Sequence, residues 1–311
     1  MDMHGLAMLV AAISAVVMSI GTQMQNSGAH VTQSNVDGEG RGGFSIGQLG
    51  QLMTRKRWLF GTLFLGVAIV LQLSALSLAP LLVVQPIGAL ALVITTFLNA
   101  SVAHVRLNPP TLWGVALCSG GIALFVSVAA FVAVDNPITD GKLIAVLVVL
   151  AVVLAILGAL FLRFHRRMSA LLYVLGAGIL YGFVATLAKV VIGRVEQGEI
   201  EWLTVTCVVA LLLATILGGW FVQNAHASGP PDLVIAGLTV VDPLVAVTIG
   251  IVILGEANHA SAWEIVAFVC TGVAAIIGVF VISKFHPQSG VAGISMINLA
   301  DSDDGRDTPN R

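Results

Sequence analysis

The chain has 311 residues, 58% of them hydrophobic and only 10% charged, with a formal net charge of −2 and a mean hydropathy of +1.00. A soluble domain of this length needs many more polar residues to cover its surface, so the composition excludes one and points to an all-α polytopic membrane protein. Apolar runs repeatedly reach the ~20 residues that span ~30 Å of hydrocarbon.

In chain order, nine spans are predicted, at about 4–25, 58–78, 80–103, 111–133, 141–162, 169–193, 202–222, 232–254 and 261–283. The first lacks a basic leading region and is longer than the apolar stretch of a signal peptide, so it reads as a span of the mature protein. Asn108-Pro109-Pro110, Asp135-Asn136-Pro137 and Ser228-Gly229-Pro230-Pro231 mark turns between spans. Residues 26–57 are rich in Gly, Ser, Asn and Gln and end in Arg55-Lys56-Arg57. Within them Phe44, Ile46, Leu49, Leu52 and Met53 suit a short helix lying on the membrane surface. The polar, acidic stretch 286–311 is expected to be a disordered tail. Cys118, Cys207 and Cys270 all fall inside apolar runs, which favours buried packing over a disulfide framework or metal site.

Basic residues orient the spans, because cytoplasmic loops collect Lys and Arg. With the N-terminus outside and the C-terminus cytoplasmic, the inner segments hold Arg41, Arg55, Lys56, Arg57, Arg106, Arg163, Arg166, Arg167, Lys284, Arg306 and Arg311, whereas the outer loops hold Lys142 and Arg194. The expected location is the plasma membrane. The outer loops also contain Asp135, Asp140, Glu196, Glu199, Glu201 and Glu256, either a mouth that attracts cations or a solvated surface.

A repeat emerges from short echoes. Val83-Val84-Gln85-Pro86 recurs 157 residues later as Val240-Val241-Asp242-Pro243, and Cys118-Ser119-Gly120 recurs as Cys270-Thr271-Gly272. Each VVxP lies in the third span of a half and each C-[ST]-G in the fourth, and the sixth span aligns on the first with Lys189 opposite Gln23. Two four-span repeats follow, residues 1–133 (with the cytoplasmic loop 26–57) and 168–285, joined by a linker helix within 134–167. An odd number of spans offsets them, so the halves enter the membrane from opposite sides. In such inverted repeats a solute site lies at the repeat interface near the midplane.

The order of "ALSLAPLLVVQPIGALALVITTFLNA" then "LWGVALCSGGIALFV", and of "GLTVVDPLVAVTIGIVILGE" then "WEIVAFVCTGVAAIIGVFV", resembles the drug/metabolite transporter superfamily with EamA-type repeats. The nine-span plan and the phrase "LAPLLVVQPIGAL" resemble its NIPA-like branch, whose members are described as magnesium transporters. The resemblance covers residues 1–285 loosely and 70–130 and 232–283 more closely. It implies a secondary transporter working by alternating access, with a divalent cation such as magnesium as cargo. A small organic metabolite or drug coupled to protons is the alternative cargo, and a non-transporting accessory protein the alternative class. The chain departs from symmetry at Gly255-Glu256, which ends the eighth span where His104, Val105 and Arg106 end the third.

Asp242 is the carboxylate well inside an apolar run. An ionised carboxylate there costs at least ~2.5 kcal/mol on insertion scales, so it needs a cavity, a partner, a bound cation or a proton. Pro243 frees the backbone carbonyl of Thr239 as a further oxygen ligand, and Pro86 does the same near Leu82, making both prolines candidate helix breaks or hinges. Asp242 is thus the candidate ion or metal ligand, or else the cap of a broken helix. Gln85 either lines the same cavity or ties helices together. Gln23 is a weaker polar candidate of the same kind. Lys189 either snorkels to the outer interface or pairs with Asp242. Glu256 and Glu264 sit near span ends, where water is expected to be close. Glycines such as Gly114, Gly120, Gly121, Gly176, Gly178 and Gly182 suit close helix crossings. Neither a Walker sequence nor an HExxH spacing is present, so an enzyme is not expected. The expected partners are the lipid bilayer and a small solute or cation, with no cofactor and no nucleic acid.

Overall fold

A computed structural model of the protein describes residues 3–33, 56–102, 108–164, 169–229 and 231–285. The proposed surface helix around Phe44–Met53 and the tail 286–311 lie outside the described residues. Among those described there is no strand, and nine segments are long and apolar enough to cross a membrane. The protein is all-α and polytopic.

In chain order the helices are α1 (Met3–Gln33), α2 (Lys56–Leu78), α3 (Leu81–Gly88), α4 (Leu90–Val102), α5 (Pro109–Val132), α6 (Asp140–Phe164), α7 (Ala170–Glu196), α8 (Trp202–Ser228), α9 (Pro231–Ile249) and α10 (Ala262–Phe285). A single π-helical turn, Gly250–Leu254, extends α9. The first helix continues well past the expected end of its span near residue 25.

The two halves pair their helices alike. Contacts of α1 with α2 and with the α3–α4 pair are matched by contacts of α7 with α8 and with α9, while α5 against α10 and α3 against α9 join one half to the other. Helix α7 and the α3–α4 span are the most enclosed, whereas α6 is the least and leans on α7, α8 and the π turn. Enclosure of α7 explains its small residues: a Cβ on Gly178 would come within 2.6 Å of Val241, and one on Gly182 within 2.7 Å of Val245. At the α5–α10 crossing the backbones themselves are in reach: a Cβ on Gly121 would meet the Ala275 nitrogen at 2.7 Å, and one on Gly278 the Cys118 nitrogen closer still. Gly120, next to Gly121, faces open space.

Capping fixes the helix ends. Asn108 Oδ1 accepts from Thr111 N at 3.2 Å, with Pro109 and Pro110 in the first turn where a missing N–H costs nothing. Asn108 Nδ2 and Thr111 Oγ1 also donate to Phe285 O at 3.2 and 2.8 Å, fastening the start of α5 to the end of α10. At the opposite end of that pair, Val134 N donates to Glu256 O and Asn136 Nδ2 to Gly255 O, both at 2.9 Å.

The two proline spans differ. The third span does lose its regular helix, but at Ala89, three residues after Pro86, a single residue that keeps right-handed helical backbone (φ −66°, ψ −17°) before α4 resumes. Helix α9 instead runs through Pro243 to Ile249 without a break, and its irregularity is displaced to the π turn. Loss of one N–H bond at a proline is absorbed there by neighbouring helices, so Pro243 is not the expected helix break. The cysteines also divide: Cys118 and Cys207 are buried, but Cys270 is exposed on the outward face of α10, against expectation.

Candidate functional site

A cavity opens where α9 and α10 meet the first half. It is lined by Pro86 and Ala89 from the third span, Ile122 and Phe125 from α5, Thr239, Val240, Pro243, Leu244 and Val247 from α9, and Gly272, Ala275, Ile276 and Val279 from α10. Its volume is about 530 Å³, including the space at its open side. The two echoing prolines thus face one space. Its walls are almost entirely apolar. Thr239 brings a hydroxyl, but that hydroxyl already donates to Ile235 O at 2.7 Å.

Asp242 and Gln85 are not among the lining residues. Gln85 is buried, with 6% of its surface exposed, on another face of α3 from Pro86. Asp242 sits on the flank of α9 that packs against α7, where a Cβ on Gly182 would lie 3.0 Å from its carbonyl oxygen. Its Oδ1 atom is buried and has no hydrogen-bond partner among the described residues, and Tyr181 of α7 is within electrostatic range. Glycines at 178 and 182 let α9 approach α7 closely there. Asp242 therefore lies beside the cavity rather than in its wall, and no hydrogen bond joins it to Gln85 among the described residues.

Lys189 takes neither expected position. It is 4% exposed, and its ammonium donates to Leu76 O at 2.9 Å, Ala79 O at 3.2 Å and Asp135 Oδ2 at 3.0 Å. Asp242 packs seven to eleven residues earlier on α7, about 10–16 Å along the axis, too far for a pair. Gln23 is more distant, because the neighbouring Gly21 packs on Gly61 and Leu65 near the start of α2, whereas Lys189 grips the end of that helix.

Glu256 is the residue that sequence reasoning missed. Expected near water, it is instead 2% exposed. Its Oε1 accepts from Leu81 N at 2.9 Å and its Oε2 from Leu82 N at 2.8 Å, so it caps the α3 N-terminus. The π turn makes this possible: Glu256 N donates to Gly250 O at 3.0 Å, and Gly255 takes φ +73°, which favours glycine. Gly250 leaves room for the carboxylate, since a Cβ there would meet Oε2 at 2.6 Å. Burial pushes the Glu256 carboxyl up to about 7; the Leu82 and Leu81 N–H groups and Lys189 oppose that rise, and Asp135 adds to it. A glycine plus glutamate directly after a span was the available signal.

The acidic loops are mostly engaged. Arg194, 3% exposed, donates to Ile138 O at 3.2 Å, pairs with Asp140 at 2.6 Å, pairs with Glu199, and lies 3.9 Å from Glu201. With Asp135 on Lys189 and Glu256 on backbone N–H groups, Glu196 is the exposed acid of that end without a described ion pair. Among the described residues no three His, Cys, Asp or Glu side chains form a group able to hold a metal ion.

No family model matches the chain, and no solved structure matches it. The chain is similar to an uncharacterized protein of Corynebacterium glutamicum, with 28% identity over 291 residues covering 91% of this chain and 96% of that protein.

Proposed function

We propose that this multi-pass membrane protein is a secondary transporter of the drug/metabolite type, moving a small and largely apolar organic solute through the Pro86–Pro243 cavity by alternating access, with Asp242 as the proton-coupling group. The observation that carries this reading is the buried, unpartnered Asp242 oxygen one helix face away from an apolar cavity shared by both halves. A carboxylate at that depth is tolerated when a proton or ion neutralises it, and α9 carries both Asp242 and five of the cavity residues. Moving that helix between α7 and α10 would change the surroundings of carboxylate and solute together. The charge bias of the loops supports an outer N-terminus, a cytoplasmic C-terminus and the plasma membrane.

A magnesium-like cargo has less support. That ion prefers octahedral oxygen ligands, whereas the cavity walls are apolar, neither Asp242 nor Gln85 lines them, and most acids of the outer loops are already paired. Filling the cavity tests the reading. Gly272 lines the cavity and a Cβ there would make only ordinary contacts with Phe125, at 3.9 Å, so Gly272→Leu starts its side chain from a lining position without a backbone clash at Cβ. It should abolish solute flux in liposomes while leaving the melting temperature unchanged; undiminished flux would refute a solute path through this cavity.

A further inference from the structure

Four pieces of chain meet at the Glu256 end of the bundle: the α2–α3 junction, the segment 134–136, α7 at Lys189 and the turn after α9. Lys189 and Glu256 come from the second half and grip both sides of a kink in the first. Lys189 holds the last carbonyls of α2, and Glu256 holds the first N–H groups of α3. Each sign suits its helix end. Any motion that parts the halves at this end must therefore unseat Glu256.

We propose, building on the transport reading above, that Glu256 is the positioning residue of a gate at this outer end: seated on the Leu81 and Leu82 N–H groups it latches the two halves together, and opening hydrates the carboxyl, which releases its proton to water. The charged groups facing it are Lys189 from α7, Asp135 from the 134–136 segment and Lys142 from α6. Burial outweighs Lys189 and the backbone donors, so the closed seat favours the protonated carboxyl and the hydrated, open seat the ionised one. Acid therefore holds the latch shut, and rising pH opens it. A protonated carboxyl still accepts through its carbonyl oxygen, so protonation does not itself unseat it. Glutamine has the same one-acceptor character without titrating.

The test uses the full chain in lipid nanodiscs, with Cys118, Cys207 and Cys270 replaced by alanine and spin labels on Ser77→Cys and His259→Cys, across the latch. Pulsed electron resonance should show the population with the longer separation rising roughly tenfold between pH 6 and pH 8, as a group titrating near 7 requires. In Glu256→Gln that population should stay low and independent of pH. A distance distribution unchanged between pH 6 and pH 8 in the Glu256 protein overturns the latch without reference to any variant. A shift that persists in Glu256→Gln also overturns it. Because this readout needs no solute, a moving distance with no flux refutes the transport reading alone, whereas a fixed distance with intact flux refutes the latch alone.

Discussion

Lys189 Nζ lies 3.0 Å from Asp135 Oδ2, yet the two side chains are unequally buried, at 5% and 46% exposed. The ammonium is held by the protein and the carboxylate is half in water. Losing the lysine should therefore matter more than losing its partner. Lys189→Met leaves the Leu76 and Ala79 carbonyls without their donor, at about 2–4 kcal/mol. Asp135→Asn keeps an accepting oxygen, and solvent screening already weakens the pair it replaces. The melting temperatures of the purified proteins should rank wild type, then Asp135→Asn, then Lys189→Met; inversion of the two variants would contradict the arrangement.

Glu256 makes stability depend on pH in a stated direction. Its carboxyl is pushed from 4.5 to about 7 by burial, so the folded state holds the proton more tightly than the unfolded state. The contribution is fully present below pH 4.5 and is lost as pH rises through about 7. The difference in melting temperature between wild type and Glu256→Gln should move in favour of Gln between pH 5 and pH 8. A difference that stays constant, or moves the other way, would show that the carboxyl is hydrated in the folded protein.

Adjacent glycines on α5 should respond oppositely to the same change. A Cβ on Gly121 meets the Ala275 nitrogen at 2.7 Å and the Thr271 oxygen at 2.9 Å, so Gly121→Ala forces α5 and α10 apart, at about 1–3 kcal/mol. Gly120→Ala meets nothing within 4 Å and should be neutral or stabilising by up to about 1 kcal/mol. Chemical denaturation of the two variants side by side checks this. Equal destabilisation would mean that the crossing is not as close as described.

Much of this molecule was readable from its residues, and what was not has a common cause. Apolar run length gives the spans because hydrocarbon thickness sets a local requirement. The VVxP echo led to two prolines that do line one cavity. Side-chain direction was harder: Asp242 is next to Pro243 in sequence, but a step of about 100° around a helix turns it from the cavity toward α7. Pairing was harder again. Glu256 caps a helix 175 residues earlier, and Lys189 reaches carbonyls 113 and 110 residues earlier. Nothing local encodes those partners. Pro243 also looked like a break by local rules, yet packing against α7 carries α9 through it.

The central claim is that Asp242 couples protons to passage of an organic solute. The direct measurement is proton movement in liposomes carrying a trapped pH-sensitive dye, with a panel of small uncharged organic solutes added one at a time and a Mg²⁺ indicator in a parallel set. Wild-type protein should move protons in response to at least one solute, and Asp242→Asn, with the same melting temperature, should not. Unchanged solute-driven proton movement in Asp242→Asn, or wild-type liposomes that admit Mg²⁺ and answer no organic solute, would contradict the account.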